Sequence, residues 1–324
     1  MPKFLLLTAT AFLFSISRII AQDCTVPFVP SSFKARLAWQ SDKDGPSPLA
    51  IPVVANLNPQ QDNMPEIIVA EAPSPFSIGN SNRIQIYRGD GSNFDKPLIL
   101  TVPGYFDNYP VPGPTIGDVN GDGIPELIMS CYDSKIRVFN NYTENPVAPM
   151  NLWITSNGLL DFEDQKPSLA DFDGDGTPEI YAGSDIFQFN FPASAAPSLT
   201  KVINGGVNKG RSYYNNYGEG SCNPTAVDLL SVADCNGDPD CGGLELVAGP
   251  IIYSIDLDLS DGDGYQIKVQ RDLNQLVPPP GGYADGYTAV ADIDLDGTLD
   301  IVVTSKRGNN QAGVYVWNLS LIHI

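Results

Sequence analysis

At 324 residues, 42% of them hydrophobic, the chain can build one large domain or two modest ones around a buried core. Acidic residues outnumber basic ones 38 to 18, a net charge of −20; this excludes nucleic acid as a partner, because holding a phosphate backbone needs a Lys/Arg surface. Glycine (30) and proline (28) make up about 18% of the chain, above the usual ~12% yet below the ~25–30% that marks disorder.

Met1–Ala21 reads as a secretory signal, with Lys3 as its charged start, Phe4–Ile16 as its apolar stretch and Ala21 as the small residue before the cut at Gln22. The apolar run is too short and wrongly flanked to span a bilayer, and no later segment is long and apolar enough to do so. Asp23 before Cys24 does not suit a lipoprotein signal. Removing the signal leaves 16 basic and 38 acidic residues, a mature charge of −22. Residues 22–49 form an N-terminal segment, and the chain is expected outside the cell or on its surface.

From residue 50 to 318 a repeat takes over. Its complete copies are Ile116-Gly-Asp-Val-Asn-Gly-Asp-Gly-Ile-Pro-Glu-Leu127, Leu169-Ala-Asp-Phe-Asp-Gly-Asp-Gly-Thr-Pro-Glu-Ile180 and Val290-Ala-Asp-Ile-Asp-Leu-Asp-Gly-Thr-Leu-Asp-Ile301. Two copies are stretched: Asn56 and Asn58 lead to Asp62 and Glu66, and Asp234, Asn236 and Asp238 lead to Glu245. The lead positions are therefore 56, 118, 171, 234 and 292. Short apolar runs precede the complete copies at 114–116, 168–170 and 288–290. Strand-like runs follow the five copies at 66–70, 127–132, 179–183, 244–248 and 300–304. A second alternating run comes at 83–87, 135–139 and 314–317. Alternation broken by Gly, Asn and Asp predicts antiparallel strands, and no helical period appears after the signal. A unit of about sixty residues with roughly four strands has the size of a propeller blade.

The Asp-x-Asp-x-Asp-Gly-x-x-Asp/Glu loop, flanked by strands at this period, resembles the FG-GAP/VCBS repeats of integrin α subunits and of many secreted or surface bacterial proteins. The resemblance covers about residues 50–317. It implies an all-β propeller, usually of seven blades, of which five are visible, as in a ring cut short at its C-terminal side. Phe33–Gln40 is then a candidate for the strand that closes such a ring.

Carboxylates at alternate positions repel one another unless a cation sits among them, and hard oxygen ligands without nitrogen or sulfur point to Ca²⁺. The second loop offers Asp118, Asn120, Asp122 and Glu126 with the Ile124 carbonyl. The third offers Asp171, Asp173, Asp175 and Glu179 with the Thr177 carbonyl, and the fifth Asp292, Asp294, Asp296 and Asp300 with the Thr298 carbonyl. Gly123, Gly176 and Gly297 take the sharp turn. An EF-hand loop begins alike but closes at its twelfth position between helices; here the acid comes at the ninth and enters a strand. The expectation is three calcium sites, rising to five if the stretched loops, with Asp234, Asn236, Asp238 and Glu245 in the fourth, also bind. Three ions would bring the mature charge from −22 to −16.

Other features have plainer readings. The five cysteines, Cys24, Cys131, Cys222, Cys235 and Cys241, leave one unpaired; Cys235 and Cys241 are the first pair to join. Arg88-Gly-Asp90 spells an adhesion tripeptide but sits where a strand-ending turn is expected. Tyrosine-rich stretches at 211–220 and 282–287 read as inter-blade connectors or ligand loops, and Asn141 begins a glycosylation sequon. Leu319–Ile324 resembles the translation of a sequencing adaptor; setting it aside removes His323, the only histidine, and the sequon at Asn318. No imidazole then remains for a nucleophile–base pair, so no catalytic residues are assigned. The expected role is a secreted or surface calcium-binding module for protein or glycan ligands. The alternatives are a propeller within a carbohydrate-active enzyme such as a polysaccharide lyase, and a structural spacer.

Overall fold

The computed structural model describes residues 37–41, 52–70, 83–103, 113–131, 133–160, 166–205, 224–230, 243–260, 262, 264–276, 286–307 and 311–319. The chain divides into Met1–Ala38 and Trp39–Ile324; of the first unit only Leu37 and Ala38 are described.

The second unit is a series of antiparallel sheets, each read off the chain in order. The first holds β1 (Val53–Ala55), β2 (Glu66–Ala70), β3 (Arg83–Arg88) and β4 (Leu98–Thr101). The second holds β5 (Thr115–Gly117), β6 (Glu126–Ser130), β7 (Ile136–Asn140) and β8 (Asn151–Thr155). The third holds β9 (Ser168–Ala170), β10 (Glu179–Ala182), β11 (Asp185–Asn190) and β12 (Ser198–Ile203). The fourth holds β13 (Thr225–Val227), β14 (Glu245–Ala248), β15 (Ile251–Asp256) and β16 (Gln266–Asp272), followed by the single helical turn α1 (Leu273–Leu276). The fifth has three strands, β17 (Gly286–Ala291), β18 (Asp300–Arg307) and β19 (Gln311–Asn318). The unit is therefore all-β with five repeated sheets, four of them four-stranded.

Alternation within the strands divides the core among neighbouring sheets. Side chains two residues apart share a face. Along β6, Leu127 and Met129 join a cluster with Ile68, Ile84 and Ile86 of the first sheet, while Ile128 points the other way into a cluster with Ile180 and Phe187 of the third. Tyr181 and Ile186 turn towards Leu246 and Tyr253 of the fourth sheet, and Val247 and Ile252 pack with Ile301, Val303 and Trp317 of the fifth. The second, third and fourth sheets thus bury both faces, and each such side chain removed from water is worth about 1.5–3 kcal/mol. The first strands of neighbouring sheets also touch: β1 with β5, β5 with β9, and β13 with β17.

The sequence reading missed the fourth strands, and with them the third strands β11 and β15. The fourth strands lie at the sheet edge, with exposed positions in β4, β8, β12 and β16. Three of them pair with the third strand through a register shift. A shifted edge strand need not alternate, so it leaves little period-2 signal.

Within the Phe33–Gln40 segment, only residues 37–40 are described, and they form no strand. Trp39 lies against the first sheet instead: its indole N–H donates to the Gly89 carbonyl at 3.2 Å and its ring meets Tyr87 with centroids 6.0 Å apart. Gly91, at φ +76°, leaves the space this ring fills. At the other end Leu319 is buried with Trp317, while residues 320–324 lie outside the described residues. Cys131 is a free, buried cysteine; the other four, including the Cys235–Cys241 pair, lie outside the described residues.

Candidate metal sites in the first hairpin loops

In every sheet the loop joining the first and second strands is locked by one bond. The acid that opens the second strand accepts the backbone N–H of the residue following the loop's lead position. The pairs are Leu57 to Glu66 (2.8 Å), Val119 to Glu126 (3.1 Å), Phe172 to Glu179 (2.9 Å), Leu229 to Glu245 (2.7 Å) and Ile293 to Asp300 (2.8 Å). All five closing acids are at most 2% exposed. In the complete loops the lead acid reaches the turn glycine: Gly123 N–H donates to Asp118 (2.7 Å), Gly176 to Asp171 (3.0 Å) and Gly297 to Asp292 (2.9 Å). At Gly176 a Cβ would meet nothing within 4 Å, so the φ of +88°, not lack of space, calls for glycine there.

Two of the predicted ligand sets converge. Carboxylate oxygens of Asp171, Asp173 and Glu179 lie within 4.8 Å of one another, as do those of Asp292, Asp294 and Asp300. In each group one buried oxygen, Asp171 Oδ1 and Asp300 Oδ1, has no hydrogen-bond partner. A desolvated carboxylate oxygen facing other acids is what a hard cation would satisfy, so these residues fit a calcium-type ion. Asp175 and Asp296 are not among the converging oxygens. They accept the N–H of Thr177 (2.6 Å) and Thr298 (2.8 Å), as Asp122 accepts that of Ile124 (2.8 Å). In the second loop Asn120 replaces the middle acid, and its amide donates to Glu126 at 3.2 Å. Asp118, Asp122 and Glu126 therefore do not form a three-carboxylate group of the same kind.

The fourth loop begins earlier than its sequence suggests. Strand β13 ends at Val227, and Leu229 donates to Glu245, so Asp228 occupies the lead position assigned above to Asp234. Asp234, Asn236 and Asp238 lie outside the described residues. A signal for Asp228 was present: proline stands four residues before the lead at Pro52, Pro114, Pro167 and Pro224.

The tripeptide at Arg88 is tied into the first sheet. Gly89 N–H donates to Pro65 O at 2.8 Å, Asp90 accepts the Ser92 N–H at 2.8 Å, and the Arg88 side chain pairs with Asp62 and Glu144. Asn318 Nδ2, the would-be glycan acceptor, donates to Asp294 at 2.5 Å. Asn141 is exposed. The tyrosine-rich residues 211–220 and 282–285 lie outside the described residues, and Tyr287 opens onto the surface from β17.

Burial pushes Glu126, Glu179 and Glu245 up to about 7, against the stabilising backbone bonds from Val119, Phe172 and Leu229; nearby acids push the same way. Burial also raises Asp173, with Asp175 and Asp171 adding to it. A folded-state value above the unfolded one means that the folded chain holds protons which the unfolded chain releases. The associated stability is present below about 4.5 and is lost as pH rises through about 7. In EGTA the protein is therefore expected to melt at a higher temperature at pH 5 than at pH 8. Millimolar Ca²⁺ is expected to shrink or invert that difference, because the ion needs the acids ionised. Differential scanning calorimetry at the two pH values checks both signs.

Known proteins bear on these loops as follows. A family model described as FG-GAP-like repeat matches residues 60–129 and 118–182. Each match runs from one of these loops into the second strand of the next sheet. No curated protein matches the sequence. Among solved structures, the V. cholerae biofilm matrix protein Bap1 is similar at 16% identity and a TM-score of 0.48, over 88% of this chain and 40% of that one. An Agrocybe aegerita lectin recognising non-reducing terminal N-acetylglucosamine is similar at 15% identity and a TM-score of 0.43, over 82% of this chain and 65% of that one. The chain thus spans less than two thirds of either, and likenesses at these scores bear on neither ligand nor activity. No described helix is long and apolar enough to cross a membrane. Sequence match and loop geometry agree over residues 60–182, the stretch that matches the FG-GAP-like repeat model.

Proposed function

We propose that this chain is a secreted or cell-surface β-propeller module, stabilised by calcium, that binds extracellular protein or glycan ligands and performs no catalysis. The observation that carries the calcium reading is the convergence of Asp171, Asp173 and Glu179, and of Asp292, Asp294 and Asp300, each around an unpartnered buried oxygen. The second loop, with Asp118, Asn120, Asp122 and Glu126, supplies the third site. The ion brings the positive charge that these acids lack. The chain's own contribution is to gather them in a short loop between two paired strands, with Glu179 and Asp300 opening the second strand.

Support for a binding role comes from the FG-GAP-like repeats and from sheets packed in series, which leave the loops at their ends free to vary. In this reading the five sheets are successive blades of a larger ring, of seven blades by resemblance. A glycan array and a screen of extracellular matrix proteins test the role. The expected result is retention of a glycan or protein ligand that is lost in EGTA and restored by Ca²⁺. Release of shortened or unsaturated sugars from a bound polysaccharide would show an enzyme instead.

A further inference from the structure

One register position sets the first loop apart. The third-strand residue facing the closing acid is Arg88 opposite Glu66, Ser254 opposite Glu245 and Asn318 opposite Asp300. Extending the register of β6–β7 and β10–β11 by one step places Asn140 opposite Glu126 and Gln188 opposite Glu179. In the two three-carboxylate loops this residue is a neutral amide that reaches the middle acid: Gln188 Nε2 donates to Asp173 at 3.4 Å and Asn318 Nδ2 to Asp294 at 2.5 Å. An amide supplies a hydrogen bond but no charge, so those acids still call for a cation.

In the first loop the same position carries a guanidinium. Arg88 Nη2 lies 3.1 Å from Asp62 Oδ2, and its Nη1 pairs with Glu144 in the connection between β7 and β8. Asp62 stands where Asp122 stands in the second loop, since Met64 N–H caps it at 2.9 Å as Ile124 caps Asp122. The other donors are committed too. Asn56 accepts the Asn58 N–H at 2.9 Å and gives its amide to Asp62 O at 2.7 Å, while Glu66 accepts Leu57. The loop's side chains offer two carboxylates, Asp62 and Glu66, where the third and fifth loops offer four. These residues do not fit a metal ion.

We infer that Arg88 is the resident cation of the first loop, held by Asp62 and by Glu144, so that the first sheet closes without a metal ion. The contrast rests on the calcium reading of the other loops; the role of Arg88 does not. A planar, permanently charged fork can hold two carboxylates from different sheets at once, which also joins the first sheet to the second.

The test measures the melting temperature and the number of bound calcium ions for the whole chain and four variants. Arg88→Gln and Asp62→Asn are each expected to lose about 2–4 °C. The loss should be the same in EGTA as in millimolar Ca²⁺, with the calcium count of the unmodified chain retained. Arg88→Lys, which keeps the charge, is expected to lose less than Arg88→Gln. Gln188→Arg, which builds the same cation into the third loop, is expected to bind one calcium fewer. The proposal is overturned if Arg88→Gln melts normally in EGTA, if Asp62→Asn binds one ion fewer, or if Gln188→Arg keeps the full count. An unmodified chain that binds no calcium would defeat the reading of the complete loops, and the EGTA arm of Arg88→Gln would still decide the role of Arg88.

Discussion

Phe187→Ala is expected to destabilise the protein by about 3–5 kcal/mol, the usual cost of emptying an aromatic site in a packed core. Phe187 is fully buried on β11, in the cluster where the second and third sheets meet, with Ile128, Val138 and Ile180. Besides the links from Asn157 N–H to Leu199 O at 2.7 Å and from Lys201 Nζ to Leu159 O at 3.0 Å, the space between these two sheets is filled by alternating side chains from both. Removing the ring leaves a cavity lined by two separate sheets, which cannot collapse without moving one against the other. A fall in melting temperature on the order of 4–8 °C follows for a chain of this size. Val147→Ala is the control, because Val147 is 75% exposed and its loss should stay within about 0.5 kcal/mol. Equal melting of the two variants would show that the inter-sheet cluster is not the core.

The second large effect is removal of calcium. A site filled at one hundred times its dissociation constant stabilises the folded chain by about 2.7 kcal/mol, so three sites give about 8 kcal/mol. Moving from millimolar Ca²⁺ to EGTA is therefore expected to lower the melting temperature by on the order of 10–15 °C at pH 8. The size follows from the structure of the loops: in the third and fifth, three carboxylates, the buried closing acid among them, are already gathered, so without a cation the folded state carries their mutual repulsion. Asp173→Asn should lose part of this response and Asp62→Asn none of it. That ordering separates metal stabilisation from a general effect of charge.

The repeat made much of this architecture legible. A closing acid followed at once by an apolar run marks the second strand of each sheet, and Glu126–Ser130, Glu179–Ala182 and Glu245–Ala248 begin within a residue of where that pattern places them. What stayed hidden has physical causes. The fourth strands sit at an edge, and three of them, β8, β12 and β16, shift register, which blurs their alternation. Asp228 was obscured because Val232-Ala-Asp234 copies the start of the fifth loop, while the true lead is followed by Leu229, the donor to Glu245. The partners of Arg88 lie 26 and 56 residues away, a distance no local pattern spans. Likewise, spacing alone gave four side-chain ligands per loop; Asp175 and Asp296 accept the backbone N–H groups of Thr177 and Thr298.

The central claim is that Asp171, Asp173 and Glu179 surround a divalent cation. A crystal grown in calcium, with the anomalous signal recorded, tests it most directly. The account predicts a peak at the centre of that group, with oxygen distances of about 2.3–2.6 Å, and a second among Asp292, Asp294 and Asp300. Water alone between those carboxylates, in a crystal saturated with calcium, would contradict it.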